Sequence, residues 1–230
     1  MVKAIISFFL VLLFVSTEVS AAEIRKVIPP DSPSLSSIVI EGLIEPGDFL
    51  KFKQALTSEP FLDKVTLWSP GGDALEAIKI GRLIRKLRMR TEAPLVWRLK
   101  DGNNVWCKLM GTTEKLDQEN PNCSCLSSCF LIYTAGIERY GNYLGVHRPH
   151  IPPERLLTLS DDKVEKGMKA AEQLVRDYLI EMDTPRDIID IMMKTNSQEI
   201  YFLTKAQEEE IQQEVPFVEE LILSNCKEMS

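Results

Sequence analysis

Apolar residues along this chain fall into two alternating spacings. Ser37 to Leu43, centred on Ile38-Val39-Ile40, is a continuous apolar run closed by Glu45-Pro46-Gly47-Asp48. A run of that length bounded by turn residues predicts a buried strand. Asp48 stands where a cap would, ahead of Phe49, Phe52 and Leu56 at helical spacing. Lys64 to Trp68 predicts a second strand. After Gly72 and Asp73 the pattern predicts an amphipathic helix with Leu75, Ile78, Leu83, Ile84 and Leu87 toward the core, and Pro94 to Trp97 predicts a third strand.

Lys100 to Asn122 breaks the alternation. It is polar, punctuated by Asp101-Gly102-Asn103-Asn104 and Asn120-Pro121-Asn122, and reads as an inserted loop held by its cysteines. The alternation then resumes with Leu126 to Gly136 and short strands around Arg139-Tyr140 and Leu144-Gly145-Val146. A long helix is predicted over Asp161 to Glu181, with Val164, Met168, Ala171, Leu174 and Leu179 facing inward. Pro185 opens another through Ile188, Ile189 and Met192, Thr204 caps a short charged helix, and Val215-Pro216-Phe217-Val218 ends the fold. The order is that of an α/β domain with mostly parallel strands and crossover helices.

The N-terminus bears on the compartment. Lys3, an apolar stretch from Ala4 to Val15, and Val19-Ser20-Ala21 make the three parts of a secretory signal over residues 1–21, with cleavage after Ala21 and Ala22 as the near alternative. The stretch is shorter than the roughly 20 apolar residues that span a bilayer. Residues 22–230 are then expected as a single domain, periplasmic or secreted. A formal net charge of −7 with no dense Lys/Arg face excludes a nucleic-acid footprint. The basic cluster Arg82 to Arg90 reads as a solvated helix face.

Five cysteines in an exported chain read as disulfide material. Cys107, Cys123, Cys125 and Cys129 crowd one region and Cys226 stands alone. Their pairing is not legible. No spacing suits a tetrahedral metal site, and no metal or cofactor is expected.

Candidate chemistry is confined to two places. Ser69-Pro70-Gly71-Gly72 follows an apolar strand and opens a helix, a turn able to aim backbone N–H groups at an oxyanion. Ser127 precedes a short apolar helix, where free amides and the helix dipole favour a developing negative charge. His147 ends the Tyr143-to-Val146 strand. Those are the parts of a serine hydrolase site.

The runs Leu67-Trp68-Ser69-Pro70-Gly71-Gly72, Leu126-Ser127-Ser128-Cys129-Phe130-Leu131-Ile132-Tyr133-Thr134-Ala135-Gly136, and Leu144-Gly145-Val146-His147-Arg148-Pro149 resemble the Clp-protease-like (crotonase-fold) superfamily. Within it the chain looks most similar to exported bacterial members carrying a Cys-x-Ser-x-Cys segment, here Cys125 to Cys129. The likeness runs from about Ser37 to Phe217. It implies Ser127, not Ser128, as nucleophile, and His147 as general base, with His150 a loop residue. It also implies oxyanion donors on Gly72 and Ser128, and Gly71 as the residue that lets the turn approach. Asn196 falls near the position of the orienting acid, where the pattern departs from an Asp. The function so implied is an exported serine hydrolase, a peptidase acting through an acyl-enzyme on a peptide or protein. Homo-oligomers of three or more copies follow from the resemblance, and no ATPase partner does. The alternative expectation is a non-catalytic envelope binding or assembly protein on the same fold.

Overall fold

The structure is a computed structural model that describes residues 21–31, 33–98, 105–109, 112–115, 123–150 and 160–213. The expected signal segment, Cys226 and the expected Val215-to-Val218 ending lie outside the described residues, apart from Ala21, which bridges Leu43.

The chain runs β1 (Glu23–Val27), β2 (Ser37–Glu41), α1 (Asp48–Thr57), β3 (Lys64–Trp68), α2 (Ala74–Lys86), β4 (Arg90–Glu92), β5 (Leu95–Arg98), β6 (Val105–Leu109) and β7 (Thr112–Lys115). It continues through β8 (Cys125–Leu126), α3 (Ser128–Tyr133), β9 (Arg139–Tyr140), β10 (Leu144–Val146), α4 (Asp161–Glu181), α5 (Arg186–Lys194), β11 (Tyr201–Phe202) and α6 (Lys205–Ile211). The main sheet has the order β1-β2-β3-β4-β9, parallel throughout except for β1 against β2. A second sheet, β11-β10-β8, pairs β10 parallel with β8 and antiparallel with β11. The two sheets meet where Ser69, just past β3, bridges Cys125. The domain is mixed α/β with a mostly parallel main sheet.

Side chains alternate faces along a strand, and here each face has its own cover. Ile38 and Ile40 of β2, with Val65 and Leu67 of β3, join the main core beside Ile80 and Ile84 of α2 and Phe130 of α3. Val39 and Trp68 point the other way, into a second cluster with Cys107 and Cys123. Burial on both faces is why β2 reads as an unbroken apolar run.

The second cluster corrects the reading of the insertion. The main sheet takes Arg90–Glu92 as its next strand, and Leu95–Arg98 leaves to pair antiparallel with Val105–Leu109 and, through it, Thr112–Lys115. The described part of the expected polar loop is therefore two strands of a three-stranded lobe, seated through the Cys107–Cys123 bridge on the sheet face away from the main core.

Helix boundaries follow their caps. Asp73 accepts from the Glu76 N–H at the start of α2, and Thr204 with Gln207 makes a capping box at the start of α6. The helix at 48–57 is capped differently from expectation. Gly47, at φ 102°, holds the cap position, and Asp48 is the first helical residue, its buried carboxylate accepting from Glu45 N–H and pairing with Lys51. The face of α2 is also rotated from the expected one. Ala77, Ile78, Ile80 and Ile84 are buried, whereas Leu75 is 53% exposed and Leu87 39%. Gly81 sits where any Cβ would fall 1.8 Å from the Tyr178 hydroxyl, so α2 and α4 pack at a distance only glycine permits. Only the last third of α4 is deeply buried, at Val175, Tyr178 and Leu179; Val164, Met168, Ala171 and Leu174 are half-buried.

Two arginines organise the base of the domain, and Arg85 corrects the picture of a wholly solvated basic face. It is buried and donates to the carbonyls of Thr134, Ala135 and Met182 and to the Asp183 carboxylate. Arg139, also buried, donates to the carbonyls of Gly136, Met182 and Ile211. These carbonyls follow or end α3, α4 and α6, where a helix leaves orphan acceptors and the negative end of its dipole. Burial, with Arg85 close by, pulls the Arg139 pKa down to about 10. Arg82 and Arg90 pair at the surface with Glu181 and Asp63.

Candidate active site

The opposite end of the strands collects the candidate residues. Leu144 lies opposite Cys125 and Gly145 opposite Leu126 in the parallel β8–β10 ladder. Ser127 stands one step past that ladder and His147 immediately after β10, so both occupy the carboxyl ends of neighbouring parallel strands, the end where open α/β sheets hold their ligands. The Ser127 N–H donates to the Gly145 carbonyl at 2.9 Å, tying the two segments together.

Ser127 itself is held in an uncommon backbone state. Its φ of 53° and ψ of −120° fall where a residue with a Cβ is rarely found, in a strand-to-helix turn that leads into α3. Such a conformation costs on the order of 1–3 kcal/mol and persists only where the surroundings over-determine it. A sharp strand–nucleophile–helix turn is how hydrolases of the elbow type expose a serine hydroxyl.

The glycine turn packs directly on this elbow. An ideal Cβ on Gly71 would lie 2.7 Å from Ser127 Cβ, 2.8 Å from the Leu126 carbonyl and 3.1 Å from Ser128 N. Gly72, at φ 132°, is fixed between strands by its bridge to Ile44, whose N–H donates to Gly71 O and whose O accepts from Asp73 N–H. The buried Ser128 hydroxyl donates to Gly72 O at 2.7 Å, binding the turn to the start of α3. Among the described residues neither the Gly72 N–H nor the Ser128 N–H has a hydrogen-bond partner.

His147 is buried, with 8% of its surface exposed. Its Nδ1 lies 2.9 Å from the Arg148 carbonyl. A carbonyl can only accept, so Nδ1 carries the proton and Nε2 is the free base. Burial lowers the imidazole pKa below its usual 6.5, opposed by the Arg148 carbonyl and aided by His150, whose ring centre is 5.9 Å away. At neutral pH the ring is uncharged and able to take a proton.

Asn196 is placed near this segment but not on the ring. The Arg148 N–H donates to the Thr195 carbonyl, yet Asn196 is exposed and its Oδ1 accepts from the Gln198 N–H. The partner of Nδ1 is the Arg148 backbone carbonyl, which sequence reasoning missed because a main-chain acceptor leaves no residue signature. Among the described residues no hydrogen bond joins the Ser127 hydroxyl to His147, and no group of three or more His, Cys, Asp or Glu could hold a metal ion.

A small apolar surface adjoins the elbow and was also missed. A Cβ on Gly145 would fall 2.5 Å from Leu126 Cδ2 and 2.6 Å from Ile200 Cγ2. The bare strand lets these side chains and Phe202 close over it. Ile200 and Phe202 stay 37% and 42% exposed, and Tyr143 stacks on Phe202 at 4.7 Å.

Two disulfides join the crowded cysteines, Cys107 with Cys123 and Cys125 with Cys129. Bridges of this kind fit an oxidising environment. Among the described residues no helix is long and apolar enough to cross a membrane. Compared with protein-family models, with curated proteins and with solved structures, the chain finds no match.

Proposed function

We propose that this chain is an exported serine hydrolase of the Clp-protease-like (crotonase) fold, a peptidase that works through an acyl-enzyme on Ser127. The observation that carries the reading is the Ser127 backbone, held at positive φ between a parallel strand and a helix with Gly71 packed against its Cβ. A structural serine gains nothing from that strain; a nucleophile gains exposure. In the reaction, the Ser127 hydroxyl attacks the scissile carbonyl as His147 Nε2 takes its proton, and the Gly72 and Ser128 N–H groups receive the oxyanion. His147 then returns the proton to the leaving amine, and water repeats the cycle on the ester. The hydroxyl–imidazole contact closes on substrate binding, as it commonly does in unliganded sites.

A backbone carbonyl on Nδ1 fixes the tautomer but stabilises the imidazolium less than a carboxylate would. Turnover slower than that of a full triad follows. Leu126, Ile200 and Phe202 support an apolar side chain in the substrate next to the bond cleaved. The main sheet's parallel order and the disulfides support the fold and the periplasmic or secreted location.

A fluorophosphonate probe on the purified exported chain tests this. Wild type is expected to take one label, mapped to Ser127, and both S127A and H147A to lose it. An unlabelled wild type, or label retained in S127A, refutes the proposal and leaves the binding-protein alternative.

A further inference from the structure

Cys125, Ser127 and Cys129 form a symmetric triplet, and the bridge between the outer two closes around the residue with the strained backbone. Cys125 is anchored in the sheet, opposite Leu144 and bridged to Ser69. Cys129 is the second residue of α3 and lies in the main core. Both are fully buried. Their Cα atoms are 5.2 Å apart. Four extended steps would separate them by about 13 Å, and a disulfide tolerates no more than about 7 Å. The chain therefore cannot stay extended through the bridge. Residues 125–126 are committed to a strand and 128–129 to a helix, so the change of direction falls on Ser127.

We infer that the Cys125–Cys129 disulfide is a positioning device that holds Ser127 in its elbow conformation. The inference rests on the hydrolase reading for its consequence, but its geometry does not. The Gly145 carbonyl and the Gly72 carbonyl also restrain the elbow, accepting from Ser127 N–H and the Ser128 hydroxyl, so losing the bridge weakens the elbow without abolishing the fold. The second disulfide ends two residues earlier, at Cys123, and encloses no part of the elbow.

The test compares wild type, C125A/C129A and C107A/C123A by two readouts. One is fluorophosphonate labelling resolved into reaction rate and reversible binding; the other is hydrogen exchange at the Leu126 and Phe130 amides, which donate to Ser69 O and Ser127 O. Without the inner bridge, the labelling rate is expected to fall roughly 5- to 150-fold, the population equivalent of about 1–3 kcal/mol of backbone strain. Reversible binding stays within about twofold, because Ile200 and Phe202 of the apolar surface lie outside the bridge, and exchange at both amides accelerates. C107A/C123A keeps the wild-type labelling rate. Unchanged rate and exchange in C125A/C129A, or an equal loss in C107A/C123A, overturns the clamp. If wild type takes no label, the hydrolase reading fails and amide exchange alone decides the clamp. Should C125A/C129A not fold, C125A/C129A/S127G is the second comparison. Glycine takes positive φ unaided, so that variant is expected to fold, and its failure to do so also overturns the inference.

Discussion

Gly71 and Gly47 make a matched pair that isolates what the glycine turn does at the elbow. Both have positive φ, 109° and 102°, a region where alanine is strained whatever the space around it. They differ in what a Cβ would meet. At Gly47 nothing lies within 4 Å, whereas at Gly71 the new methyl would be driven into Ser127 Cβ, the Leu126 carbonyl and the Ser128 nitrogen at 2.7–3.1 Å. G47A should therefore cost only the conformational term, about 1–2 kcal/mol. In a chain of this size that lowers Tm by roughly 2–8 °C. G71A carries a conformational term of that order plus overpacking of about 1–3 kcal/mol, because two of its three contacts are backbone atoms that cannot rotate away. The expected fall in Tm is roughly 4–20 °C. The functional split should be wider. Moving the turn by even a few tenths of an ångström displaces the Gly72 N–H from the oxyanion, and losing one such donor costs about 100- to 1000-fold in rate. G47A, whose new methyl meets nothing within 4 Å, should label at the wild-type rate. Thermal melts and fluorophosphonate rates on the two variants form the assay. Equal losses of Tm and equal labelling in both would refute the claim that Gly71 is a contact residue of the elbow.

Two further outcomes follow from the same geometry. S127G should raise stability by about 1–2 kcal/mol, visible as a higher denaturation midpoint, because glycine relieves a positive φ that serine bears at a cost; a destabilised S127G would show the elbow to be unstrained. Labelling of wild type should rise along an acid limb with a midpoint below 6.5, since burial depresses the His147 pKa. Stability has the same sign. Below pH 6.5 the unfolded imidazole takes up a proton that the folded one resists, so the folded state loses ground as pH falls toward the lowered pKa. H147A should flatten both profiles, and a limb unchanged in H147A would assign it to another group.

The local vocabulary of the chain was legible wherever one residue type has one physical use. Lys64–Trp68, Asp161–Glu181 and the Thr204 cap stand at the predicted places because apolar spacing, caps and turn residues act over a few positions. Ser127, His147 and the Gly71-Gly72 turn could be nominated from sequence for the same reason: each sits where a strand gives way to a turn. Which faces are covered could not be read that way. Leu75 was expected inside and is exposed, and Arg85 was expected outside and is buried, because a helix's inward face depends on which carbonyls and side chains the rest of the chain brings to it. Leu95–Arg98 reads as a strand under any arrangement, yet its partner is the insertion and not the main sheet, a choice made by Trp68 and Val39 needing cover on their own face. The positive φ of Ser127, the disulfide that encloses it and the Arg148 carbonyl on His147 are the same kind of fact. Composition and spacing determined which elements and which reactive groups exist. Only tertiary structure decided which carbonyl, glycine and sulfur meet around them, since backbone groups are alike at every position and gain meaning from where the fold carries them.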